Sequence, residues 1–229
     1  WMEVLLEKIG SPESRLLDVG VNVGQTLLKW KSLYPKADYL GVEPNINCAY
    51  YVNQLIQINN IESAVVIPVA LSGQTGLLDL YRSATDPSDI SASTVENFRK
   101  NMGMDKTTVA TLSFHDISKG ETFDIIKIDV EGAESAVISS IFSEPLSNQP
   151  IISCEVLPVY TKENTDRIQK QHQIETTLKE NEYAIFRIIK AERLKIEELN
   201  EFGIHGDMER CEYLFIHKDM SEKIKSYFN

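Results

Sequence analysis

Short, nearly continuous apolar runs alternate along the chain with segments whose apolar residues recur at helical spacing. The runs RLLDVG (15–20), DYLGVEP (38–44), SAVVIPVAL (63–71), FDIIKIDVEG (123–132), PIISCEVLP (150–158), YAIFRII (183–189) and CEYLFIHK (211–218) predict strands. Helices are predicted over 26–34, 46–59 and about 133–142, and a polar one ends near Glu180. Apolar strands separated by helices mark a mostly parallel sheet covered on both faces. The chain therefore reads as an α/β, doubly wound fold, a single domain over 1–229, with right-handed crossovers. Its 229 residues suffice for one well-buried core and are few for two.

Two segments break the alternation. In 73–112, GQTGLLDLY reads as a turn and a strand and TTVATL as a return strand, with a Ser-, Thr- and Asp-rich stretch between them. A polar insert at 190–210 separates the last two strands. Long excursions in a compact domain serve as lids or substrate loops about as often as they are plain surface loops. The inserts at 83–110 and 190–210 are accordingly expected to shape a substrate side.

Lys and Arg total 23 against 34 Asp and Glu, a net charge of −11. With no basic stripe to override it, that charge disfavours nucleic acid and anionic membrane surfaces as partners. No run of 18 apolar residues predicts a membrane span, and no secretory signal opens the chain. The Trp1-Met2 opening is compatible with a piece of a longer parent protein, and a homo-oligomer is equally compatible with the sequence. Three widely spaced cysteines form neither a disulfide framework nor a zinc pattern, and four histidines are scattered. A cytoplasmic protein without a metal site is the expectation.

The carboxyl ends of the strands are where such a sheet binds its ligand. At the first, LLDVGVNVGQT places Gly20 and Gly24 where the backbone turns tightly and a ligand approaches closely. The following helix aims its first amides at that ligand, Thr26 among the expected contacts. The loop lacks the G-x-G-x-x-G spacing of dinucleotide binders, and Asp18 would repel a diphosphate. S-adenosylmethionine fits better: it has no phosphate and carries an ammonium, which Asp18 or a water on it can hold. Asn22 either tolerates a left-handed turn or bonds the ligand. Glu43 ends the second strand about 20 residues further on, where an acid accepts the two ribose hydroxyls. In KIDVEGAE (127–134), Asp129 and Glu131 leave the fourth strand beside the first, while Glu134 reads as helix-start chemistry. Glu155 ends the fifth strand.

In this order DVGVNVGQT, GVEPN, VALS, LLDLY, ATLS, IIKIDVEGAE, IISCEV and EYLFIHKD resemble the FkbM family of S-adenosylmethionine-dependent methyltransferases, from about Leu16 to Asp219. The resemblance implies a Rossmann-like, three-layer α/β/α fold with a seven-stranded sheet of order 3-2-1-4-5-7-6, the last strand antiparallel. It implies cofactor binding by Asp18, Gly20, Asn22 and Gly24, ribose binding by Glu43 beside Pro44, an adenine edge at Ala70, Leu71 and Ser72, and a methyl-transfer mouth at 127–134. Many members read T-L-D before the fourth strand. This chain has Thr111-Leu112-Ser113, and Asp116 is the nearest acid that could stand in for the missing one.

The function expected is O-methylation of a hydroxyl on a sugar, glycan or natural product, with a small-molecule or carbohydrate acceptor. Glu131, Asp129 and Glu155 are the candidate acceptor-side bases, and His115 and His205 are outsiders on the inserts. Two other classes stand beside it: a methyltransferase-like binding domain without catalysis, and an NAD-dependent oxidoreductase.

Overall fold

A computed structural model of the chain describes residues 1–83 and 104–228. The strands are β1 (Leu16–Val19), β2 (Tyr39–Val42), β3 (Ala64–Ile67), β4 (Ala70–Leu71), β5 (Gly76–Ser83), β6 (Met104–Leu112), β7 (Ile125–Ile128), β8 (Ile151–Glu155), β9 (Tyr183–Lys190), β10 (Leu194–Leu199) and β11 (Glu212–His217). The helices are α1 (Met2–Ile9), α2 (Gln25–Leu33), α3 (Ile46–Ile58), α4 (Phe114–Ser118), α5 (Glu134–Ile141), α6 (Thr165–Glu180) and α7 (Lys218–Ser226). The main sheet runs β10-β9-β11-β8-β7-β1-β2-β3. From β3 to β9 this is the expected order 3-2-1-4-5-7-6, with β11 antiparallel to both β8 and β9.

Alternation along the central strands sorts the core into two layers. Leu16, Ile125 and Ile151 face one side, against Leu5 of α1, Trp30 of α2 and Val52 of α3. Leu17, Ile126 and Ile152 face the other, against Ile117 of α4, Val137 and Ile138 of α5, and Ile174 of α6. Both faces are covered, which is why these strands read as unbroken apolar runs.

Two expectations are corrected. The predicted third strand at 63–71 is two strands. Pro68 cannot donate to the ladder. β3 ends before it, and Ala70 and Leu71 leave the main sheet to pair in parallel with β6 in a second sheet of order β4-β6-β5. The insert at 190–210 is not loop throughout: β10 folds back on β9 as an antiparallel edge, adding an eighth strand. Of the insert at 83–110, residues 104–110 lie in β6, and 84–103 lie outside the described residues. Helices α1, α4 and α7 were not expected. Among the described residues no helix is long and apolar enough to cross a membrane.

The glycine loop stands on β1, β2 and α2, and a buried lysine ties α2 to the sheet. The Lys31 ammonium donates to the carbonyls of Ala37 at 2.6 Å, Glu62 at 2.7 Å and Ser63 at 3.2 Å. Lys31→Met removes these donors while leaving the Ala37 carbonyl buried. It should cost about 1–3 kcal/mol in urea unfolding, and an unchanged midpoint would contradict this role.

Candidate active site

The LLDVGVNVGQT turn is held from below by groups on three strands. Asp18 is wholly buried. Its Oδ2 accepts from the Tyr39 hydroxyl at 2.6 Å, and the Lys127 ammonium lies 3.1 Å from Oδ1. Burial pushes the Asp18 carboxyl up, and Lys127 and Tyr39 oppose that rise. Lys127 also donates to the Gly20 carbonyl at 2.9 Å and lies 3.4 Å from Asp129 Oδ2. Burial works against its charge, but the two carboxylates outweigh it and raise its pKa above that of a free lysine. One ammonium thus joins the acid before the loop, the loop itself and the acid of KIDVEGAE.

The loop needs its glycines for two different reasons. Gly20 has φ +86, and a Cβ there would lie 1.9 Å from the Asp129 carbonyl oxygen. Gly24, at φ +85, caps α2, and a Cβ would press on Val52 at 3.2 Å. Asn22 also adopts the left-handed region, at φ 53. Its amide donates to Glu43 Oε2 at 2.8 Å, and the Asn45 amide donates to Oε1 at 2.8 Å. Glu43 is therefore fixed by one backbone donor on each oxygen and keeps lone pairs for further donors. Its burial raises its pKa against the pull of those amides.

Beside Glu43, a cavity of about 220 Å³ is lined by Pro44, Asn45, Ile46, Pro68, Leu80 and residues 107–110. Of the residues expected to contact the cofactor, Asp18 and Thr26 are buried, as are Ala70 and Leu71 in β4. The Ser72 amide donates to the Leu112 carbonyl at 3.0 Å. Pro44 and Pro68 line this cavity, and residues 70–72 lie outside its lining.

Asp129 and Glu155 come side by side at the carboxyl ends of neighbouring strands β7 and β8. Glu155 is pushed up to about 8, by burial first and then by the charges of Asp129 and Glu212. Glu131 has φ 52 and Gly132 φ 104, so the chain leaves β7 through two left-handed residues. A non-glycine residue in that region is strain, which proteins keep at sites of function. Glu134 accepts from the Gly132 amide at 2.7 Å and is pushed up to about 7 by burial. It does begin α5, but as a buried acid.

The other candidates are placed elsewhere. His115 pairs with Glu144 at 3.2 Å and lines a cavity with Asn148 and Pro150, at the amino ends of β7 and β8. His205 Nε2 lies 3.4 Å from the Tyr213 hydroxyl on the α6 side. Asp116 accepts from the Ser113 hydroxyl at 2.8 Å and from Thr75, which makes it part of the α4 cap. Cys48, Cys154 and Cys211 are buried thiols. Sequence reasoning placed Lys127 only as the first residue of the 127–134 mouth and gave no role to Tyr39 or Glu212. A lysine inside the fully buried strand IIKI was the available signal, since a buried ammonium demands acids nearby.

The model of the FkbM methyltransferase domain matches residues 18–185. Among solved structures, the FkbM methyltransferase of Methylobacillus flagellatus KT is similar over 90% of this chain, with a TM-score of 0.52 and 13% identity. This chain spans 44% of that protein's length. A putative caffeoyl-CoA O-methyltransferase from Staphylococcus aureus matches over 94% of this chain and 80% of its own, with a TM-score of 0.50 and 12% identity. A SAM-dependent methyltransferase from Aquifex aeolicus matches over 94% and 88%, with a TM-score of 0.50 and 9% identity. At these identities the likeness is one of fold. No curated protein matches the sequence significantly.

Lys127→Met strands Asp18 as a buried carboxylate without a countercharge. It should cost about 3–5 kcal/mol in chemical denaturation, and adding Asp18→Asn should recover much of that loss. A double variant no more stable than the single one would show that the pair is not the joint.

Proposed function

The chain belongs to the FkbM methyltransferase family, and from that premise we propose that it transfers a methyl group from S-adenosylmethionine to a hydroxyl of a sugar, glycan or natural product. The observation that carries this reading is the joint of three motifs, in which Lys127 and Glu43 brace the Gly20–Gly24 turn from opposite sides.

The residues present fit such a cofactor. Both Glu43 oxygens retain acceptor capacity for a pair of ribose hydroxyls. The cavity bounded by Pro44 and Pro68 suits a flat heterocyclic base. The first turn of α2 offers amides to a carboxylate. Asp18 takes a different part from the one its sequence position suggests: it acts on the loop through Lys127 and Tyr39 rather than by reaching the cofactor. S-adenosylmethionine would supply a methyl group already activated on a positive sulfur. The protein's task is then to align an acceptor oxygen with that methyl and to take its proton. As the cofactor's methyl moved from sulfur to the acceptor oxygen, the Asp129–Glu155 pair, with Glu131 beside it, would take the hydroxyl proton. The inserts at 83–110 and 190–210 would shape the acceptor side.

Isothermal titration with S-adenosylmethionine and S-adenosylhomocysteine should show binding by the wild-type chain. Glu43→Ala should weaken it by about 1.5–3 kcal/mol, roughly 10- to 150-fold. Binding of NADH in place of either ligand would overturn the enzyme class, and equal affinity in Glu43→Ala would overturn the site. Release of S-adenosylhomocysteine over a panel of hydroxylated acceptors would separate an enzyme from a domain that only binds.

A further inference from the structure

Charged groups cross one face of the main sheet in a row, on five neighbouring strands. In order they are Asp18 on β1, Lys127 and Asp129 on and just beyond β7, Glu155 on β8, Glu212 on β11 and Lys190 on β9. The flanking residues Leu17, Val19, Ile128, Cys154 and Tyr213 face the opposite core, and Ile188, two residues before Lys190, faces the near one with Leu16, so alternation puts the six on a common side. Glu212 is directly opposite Glu155 in the antiparallel pair of β11 and β8. Residues so paired hold their Cβ atoms about 4.5–5.5 Å apart, and like charges there repel. On its far side Glu212 is 3.6 Å from the Lys190 ammonium, and that ammonium lies 4.7 Å from the centre of the Trp1 ring. The Glu212 side chain is only 15% exposed, so water does little to screen it from Glu155.

Resting on the methyltransferase reading above, we infer that Glu212 and Lys190 are positioning residues for proton acceptance: Glu212 presses on Glu155 from the next strand, Lys190 anchors Glu212, and together they set how tightly Glu155 holds a proton. The groups facing Glu155 are Asp129 and Glu131 from the β7 side, Glu212 on β11 with Lys190 behind it, and Cys211 just before β11. The Asp129 carboxylate beside Glu155 favours the protonated form of Glu155, because like charges in contact repel. Glu212 adds a third negative charge and favours retention of that proton. Lys190 offsets Glu212 and limits the effect.

The test needs no acceptor. Carbon-13 NMR of the 229-residue chain labelled in glutamate follows each carboxyl against pH, and loss of one signal in Glu155→Gln assigns it. The wild-type midpoint should lie near 8. Glu212→Gln should lower it by about one pH unit, and Lys190→Met should raise it by a similar amount. The exposed Glu13→Gln should leave it in place. Unmoved midpoints in both charge variants would overturn the inference. Where an acceptor supports turnover, the acidic limb of the pH–rate profile should shift down with the carboxyl in Glu212→Gln. A carboxyl that moves while that limb stays put would confine the row to stability and remove its part in proton acceptance. Failure of the chain to bind S-adenosylmethionine would sink the methyltransferase reading and leave the carboxyl titration interpretable.

Discussion

The Lys127 ammonium is the joint on which the site depends. It sits in a strand that is otherwise apolar and buried, where an unpaired charge would be costly. Its partners are a carboxylate on β1, a carbonyl of the glycine loop and a carboxylate at the mouth. Those contacts fix the height of the loop relative to the end of β7. The close approach of Gly20 to the Asp129 carbonyl then follows, and any side chain at position 20 would force the two motifs apart. Glu43 completes the frame from β2 by holding the Asn22 amide. Binding geometry here is set by backbone groups gripped by buried charges, which leaves little freedom for the loop to adjust.

Much of this was legible in the sequence. The apolar runs predicted seven strands of a mostly parallel sheet, because strands covered on both faces carry an unmistakable pattern, and the family resemblance implied their order from β3 to β9. Strand ends marked Gly20, Gly24, Glu43, Asp129 and Glu155, since a parallel sheet gathers those ends on one edge. The partner of Asp18 was not legible: pairing across strands depends on register, and Lys127 lies 109 positions away in the chain, by the difference of the two residue numbers. Glu212 was hidden for the same reason, at the start of an antiparallel strand whose register with β8 the sequence does not mark. The LKIEEL segment carries too many charges to stand out as a strand, and only its pairing with β9 makes it one. Pro68 was a readable break inside 63–71 that the surrounding apolar residues masked.

The charge of the whole chain takes on a local meaning at the mouth. Asp129, Glu131, Glu134, Glu155 and Glu212 converge where Lys127 and Lys190 are the nearby cations. Such a field favours a positively charged donor over an anionic ligand, and it keeps part of the acid protonated near neutral pH. Protonation of the buried Glu134 and Glu155 therefore stabilises the fold most at low pH. That contribution fades as pH rises through about 7 for Glu134 and about 8 for Glu155, because each folded-state pKa lies above its unfolded value.

The row of charges also bears on the order in which the molecule is made. Its members come from positions 18, 127, 129, 155, 190 and 212, so it joins the first strand of the sheet to the last. Contacts of such long range close late, after the loops between them have been gathered. A chain emerging from synthesis can form β1, β2 and the glycine turn well before β11 exists, yet its mouth then lacks Glu212 altogether. The row of charges is thus completed only with the final strand, and a partly folded chain would hold part of it.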